Sequence, residues 1–203
     1  MRPLAAGFLF LLISGSLFAQ SKKAEHLLEK GREKILKEDL DGAIEDLSGA
    51  ISHDSTLTEA HYELGVIYLK LSNTKSAMQS FNRAIEIDST HSRAYKNRGK
   101  VKAILQDYRG AMEDFKRAIA LDEKYVNAYF DRAVTWMQLK KYDQAIRDFD
   151  MVIKLSPKDA EAWLQRGSAK IYNGDKEGGC LDWSKSGELG NINVYELIRK
   201  NCH

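Results

Sequence analysis

The sequence predicts an all-α solenoid of five helix-turn-helix units, 34 residues each, closed by a short helix. Three observations predict it. Residue types recur at a step of 34 along the chain: Gly31, Gly65, Gly99, Ala133 and Gly167 make one column, and Leu47, Phe81, Phe115, Phe149 and Trp183 another. Two further columns, starting at Ala43 and Ala50, keep the same step through Gly179 and Ser186 without an insertion. Apolar residues inside each copy fall at helical spacing twice. Proline is nearly absent, with Pro157 the only one after Pro3, and an interior proline costs a helix about 3 kcal/mol.

Residues 1–19 read as a secretory leader. Arg2 is followed by an uncharged run from Pro3 to Ser21 whose apolar heart is LAAGFLFLLI, the length of a signal-peptide core. Ala19 is the small residue before the expected cut, which leaves 20–23 as the mature N-terminal tail. The alternative is a retained anchor. It would be short, and Lys22 and Lys23 on its far side oppose the usual inside-positive arrangement. With no cysteine directly after the cut, no stable membrane anchor is expected. Export places the mature chain in the periplasm, or outside the cell, where disulfides persist.

The copies follow at 24–57, 58–91, 92–125, 126–159 and a degenerate 160–191, with a cap at 192–203. In the second copy AHYELGVIYLKL puts Leu64, Ile67 and Leu71 on one stripe, and SAMQSFNRAIEI puts Met78, Phe81 and Ile85 on another. Between the two helices of the copies stand Asp39, Asn73, Asp107 and Asp175, with Lys141 the exception. Asp and Asn there suit a helix N-cap. Such units cannot bury their apolar faces alone, so they stack. In the last copy Ser186 and Gly187 replace larger apolar residues and mark a loosened unit. In the cap, Val194, Leu197 and Ile198 share one stripe.

The pattern Tyr95…Gly99…Tyr108…Ala111…Phe115…Ala118, with its counterparts, resembles the tetratricopeptide repeat over about residues 24–191. Leu27 stands where the first copy lacks an early aromatic residue. Ser55, Ser89 and Glu123 replace the proline that only Pro157 keeps. The step of 34 disfavours the related 35-residue RNA-binding helical repeat. The net charge of +2 also gives no electrostatic case for a nucleic-acid partner, which asks for a strongly basic face.

One charged column calls for a structural reading first. Arg98, Arg132 and Arg166 share a repeat position with Lys30, and sixteen residues later stand Asp114, Asp148, Asp182 and Asp46. The second copy loses both members at once, having Leu64 and Ser80. In an antiparallel helix pair these positions face each other. The pairs are therefore expected to tie the two helices of one unit rather than to contact a ligand.

The resemblance implies a groove, lined by the first helices, that grips a protein or peptide partner. Carried over position by position, its residues are Tyr62, Val66 and Leu69, then Arg93, Lys96, Asn97 and Lys100. Asn127, Phe130, Asp131 and Val134 follow, then Leu164, Ser168 and Tyr172. Arg93, Lys96, Asn97 and Lys100 share one helix face, which either holds a partner's carboxylates or is simply solvated. The C-terminal carboxylate clamp of the chaperone-binding members is not expected. Lys96 matches its first position, but Lys100 and Asp131 stand where asparagines are needed.

The expected function is a non-catalytic protein- or peptide-binding scaffold or adaptor. A structural part in an envelope assembly, using the outer convex face, is the alternative, and a thiol enzyme acting through Cys180 a remote one. No cofactor and no metal are expected. His26, His53, His61, His91 and His203 show no metal-ligand spacing, and no phosphate-cradling glycine loop or nucleophile elbow is present. The two cysteines have a simpler reading. If the helix over 177–188 turns near Asn191 and runs back, Cys180 and Cys202 meet and form a disulfide between the last copy and the cap. Two free thiols are the alternative if the leader is misread. The CxDW…LG…C ending also resembles the close of many exported bacterial tetratricopeptide proteins, which supports the pairing.

Overall fold

The computed structural model describes the backbone of residues 5–202 and the side chains of residues 20–202. The expected leader, 1–19, therefore lies outside the residues whose side chains are described. Among the described residues there are eleven helices and no strand. They pair as α1 (Ala5–Leu36) with α2 (Leu40–His53), α3 (Thr58–Lys70) with α4 (Thr74–Ile87), and α5 (Ser92–Ile104) with α6 (Tyr108–Leu121). The next pairs are α7 (Val126–Gln138) with α8 (Tyr142–Leu155) and α9 (Ala160–Tyr172) with α10 (Lys176–Glu188), followed by α11 (Val194–Asn201). None of the helices, over the described residues, is long and apolar enough to cross a membrane.

Every first helix ends in the same way, for a local reason. Glu38, Ser72, Gln106, Lys140 and Gly174 occupy one column of the repeat and have φ of 60°, 58°, 63°, 56° and 94°. That left-handed residue lets the next N–H reach back five positions: Asp39 to the Lys34 carbonyl at 3.0 Å, Asp107 to Lys102 at 2.9 Å, Asp175 to Lys170 at 2.9 Å. The bond is that of a Schellman ending. The same residue then opens the second helix. Asp39, Asn73, Asp107 and Asp175 accept the backbone N–H of Gly42, Ser76, Gly110 and Gly178. Lys141 makes no such bond.

The chain divides into two compact units, one up to Ala94 and one from Tyr95. In the first, Leu28, Ala43, Leu47, Ala60, Leu64 and Ile67 form a core cluster, and Phe81 is fully buried. The small residue of the first helix is set by that ring: a Cβ on Gly65 would come within 2.5 Å of it. Leu71, expected on the buried stripe, is 48% exposed. It caps α3, where the chain leaves the helical path that carries Leu64 and Ile67 inward.

In the second unit Phe115 and Phe149 are fully buried and Trp183 nearly so. Ala133, Ala145, Phe149 and Ala169 form one cluster, and Tyr129, Val152, Ile153 and Ala162 another. The last copy is not loosened as its composition suggests. Ser186 is fully buried and its hydroxyl donates to the Ala160 carbonyl at 2.7 Å. Gly187 leaves room for the Tyr195 ring, which a Cβ would meet at 2.9 Å. The small residues fit the cap. Of the cap's expected stripe only Val194 is fully buried, while Leu197 is 37% exposed, because α11 packs chiefly on one neighbour, α10.

Candidate functional site

The charged column can be placed first. Arg132 donates from Nε and Nη2 to the two oxygens of Asp148, at 2.8 and 2.6 Å. Arg98 holds Asp114 in the same fork at 2.9 and 2.6 Å, and Arg166 holds Asp182 at 2.8 and 2.7 Å. All three acids are buried. The hydrogen bond to Asp114 raises the Arg98 pKa further, against its partial burial. A second cation, one turn further along the first helix, reaches two of the acids: Lys102 to Asp114 at 2.8 Å and Lys170 to Asp182 at 2.9 Å.

That second position corrects the expectation for the first copy. Asp46 pairs with Lys34 at 2.7 Å, not with Lys30, which is exposed. Lys34 holds the position of Lys102 and Lys170. A lysine carries one point charge on a flexible stem and cannot reproduce the arginine fork from one turn earlier. The contact with Asp46 raises the Lys34 pKa.

In the unit up to Ala94, the expected groove residues are largely absorbed by their neighbours. Tyr62 is 9% exposed. Its ring centroid lies 4.8 Å from that of His91, and the Arg93 guanidinium sits 4.7 Å above it. Arg93 also donates to both oxygens of Glu59 at 2.8 and 3.0 Å. Glu59 accepts from Arg32 at 3.2 Å as well, and Arg32 lies 3.5 Å from Glu63. Burial raises the Glu63 pKa, and Arg32 opposes that rise. Val66 and Leu69 remain half-buried.

In the unit from Tyr95 the face is more open. Lys100, Asn127 and Tyr172 are exposed, and Phe130, Val134, Leu164 and Ser168 half-buried. Phe130 meets Phe149 edge-on at 5.5 Å, and Tyr172 stacks on Tyr142 at 5.5 Å. Asn97 is only 7% exposed, and its Oδ1 accepts from Lys96 Nζ at 2.9 Å. Lys96 Nζ also lies 3.6 Å from the Asp131 carboxylate. Burial lowers the Lys96 pKa, with Lys100 adding to the fall and Asp131 opposing it.

Between α5 and α7 a hollow of about 130 Å³ opens, lined by Lys100, Ile104, Phe115, Asp131, Val134 and Gln138 among others. Ile104 and Gln138 were not expected there. They belong to the column Leu36, Lys70, Ile104, Gln138, Tyr172, so the assignment of Tyr172 held the signal for both.

Cys180 and Cys202 lie at disulfide distance, with Sγ atoms 2.02 Å and Cα atoms 5.8 Å apart. A larger hollow beside the pair is lined by Leu181, Ser184, Ile198, Lys176 and Glu177, and the Ser184 hydroxyl donates to the Cys180 carbonyl at 2.9 Å. Among the described residues no group of His, Cys, Asp or Glu could hold a metal ion.

Family models described as tetratricopeptide repeat match residues 58–91, 92–125 and 126–159, three abutting copies. Among solved structures, MamA aligns with a TM-score of 0.73 at 24% identity, covering 83% of this chain and 92% of its own. YrrB, described as a tetratricopeptide protein with an unusual peptide-binding site, aligns at 0.70 and 19% identity over 85% and 90%. PilF of Pseudomonas aeruginosa aligns at 0.78 and 16% identity over 89% and 86%. At these identities the likeness is one of fold. No curated protein matches the chain.

Proposed function

The chain belongs to the tetratricopeptide repeat family, and from that premise we propose that it is a non-catalytic scaffold binding a protein or peptide along its first helices. One observation carries the reading. The core columns repeat their chemistry from copy to copy, as Leu47, Phe81, Phe115, Phe149 and Trp183 do. Two columns on the first helices change at every step instead: Arg32, Val66, Lys100, Val134, Ser168, and Leu36, Lys70, Ile104, Gln138, Tyr172. Packing asks for the same residue at each equivalent place; recognition of an irregular partner asks for different ones. The described peptide-binding site of YrrB supports the same use of the fold.

The reading extends to location. The uncharged, apolar run of residues 3–21, read as a leader, and a cysteine pair at disulfide distance support export to the periplasm and an oxidised Cys180–Cys202 link, since such links persist outside the reducing cytosol. Photo-crosslinking in living cells tests the binding face. A photoreactive residue at Asn127, exposed on the first-helix face, is expected to trap a partner. One at Lys116, exposed on α6, is expected to trap none. The reverse result overturns the groove and favours an envelope assembly held by the outer face.

A further inference from the structure

The hollow between α5 and α7 has an uneven charge. Asp131 and Lys100 line it together with the apolar side chains of Ile104 and Val134. Lys96 takes the Asp131 charge at 3.6 Å and is itself 14% exposed. Lys100 stands exposed at the rim, and no described residue pairs with it in an ion pair. Two cations face one anion. One positive charge is left over beside a surface that only an apolar group fills well.

We propose that this hollow is a subsite for an acidic residue next to a branched aliphatic residue in the partner chain. The side-chain carboxylate meets Lys100 Nζ, and the aliphatic side chain rests on Ile104 and Val134. The proposal rests on the reading of the first helices as a peptide-binding face. A side-chain carboxylate fits better than a chain terminus, because first-helix surface continues from α7 onto α9, and a partner strand has no reason to end at the hollow. The charged form of Lys96 also gains, since a carboxylate at Lys100 offsets the repulsion between the two lysines.

The test is an NMR titration of the full chain with short probe peptides, following the methyl groups of Ile104 and Val134 and the backbone amides of the whole chain. Acetyl-Gly-Ser-Glu-Leu-Gly-Ser-amide is expected to shift both in a saturable way. Changing its Glu to Gln is expected to weaken binding about five-fold, the size of a good exposed ion pair. Lys100→Gln is expected to cost the same factor, and the two changes together no more than either alone. That non-additivity identifies the pair. A free-acid peptide with no Glu, acetyl-Gly-Ser-Gly-Ser-Leu, is expected to bind less tightly; tighter binding overturns the side-chain assignment. Equal binding of the Glu and Gln peptides overturns the charge argument, and so does the absence of a saturable shift at Ile104 and Val134. Shifts confined to Val66 or Tyr172 overturn this subsite and leave the peptide-binding face standing. Shifts confined to Lys116 and Arg147, on the second helices, overturn both.

Discussion

Arg132 and Asp148 lock α7 to α8 through two parallel hydrogen bonds of 2.8 and 2.6 Å. The Asp148 side chain keeps 9% of its surface and Arg132 keeps 21%, so most of their hydration is gone. Each then depends on the other. Asp148→Ala is expected to cost about 3 kcal/mol, the low end for breaking a buried pair, because Arg132 can still reach water. Replacing both, Arg132→Met with Asp148→Leu, is expected to cost clearly less, since no charge is left stranded. Urea unfolding of the three proteins checks this. Equal losses in the single and double variants would remove the pairing as the reason for the column.

The turn between the helices offers a second prediction. Gln106 has a φ of 63°, a conformation that costs an ordinary L-residue about 1 kcal/mol. Gln106→Gly relieves that strain but frees the unfolded chain, so a net gain of about 0.5 kcal/mol in unfolding free energy is expected. Gly174, at the same place in the last copy with a φ of 94°, is expected to show the opposite sign on Gly174→Gln. A destabilised Gln106→Gly variant would show that the side chain does something the Schellman bond does not explain.

Those two sites also show what the sequence lets one read. Arg98 and Asp114 are legible because both members vanish together in the copy with Leu64 and Ser80. The left-handed turn is not, since four of its five residues are Glu38, Ser72, Gln106 and Lys140, whose types give no sign of positive φ. The hydrogen bonds of the helix end override local preference there. Lys34 hides behind Lys30 for a similar reason: a column aligns Cα atoms, while a long side chain pairs with whatever lies within reach. On the candidate face, repeat position names Tyr62 and Asn97 as readily as Lys100. Only packing shows that the first two are 9% and 7% exposed and that Lys100 is free to meet a partner.

Cys180 and Cys202, at disulfide distance, stand 22 residues apart in sequence, and the proposed link between them has a stability consequence. With Val194 as its one fully buried residue, α11 has few other holds, and an isolated helix of eight residues is unstable in water. Cys202→Ser is expected to lower stability by about 3 kcal/mol if loop closure dominates. Hydrogen exchange should localise the change: amides of α11 lose protection while those of α7 and α8 keep theirs. Uniform loss of protection, or none in α11, would show that the link does not hold the cap.

His61 provides the pH prediction. Its Nε2 lies 3.2 Å from the Ser55 carbonyl, which favours the charged ring, but burial outweighs this and holds the pKa below 6.5. As pH falls through 6.5 the unfolded chain takes up the proton before the folded one does. Stability therefore decreases as pH falls through that range, and levels off once the folded ring is protonated too. Asp54 and Asp88 act at lower pH. Hydrogen bonds from Thr56 and Thr90 hold their pKa values below 3.8, so their stabilisation is intact at pH 5.5. Comparing urea midpoints at pH 7.5 and 5.5 isolates the histidine. The natural chain is expected to lose more stability over this interval than His61→Gln; parallel losses in the two proteins would place the pH response elsewhere.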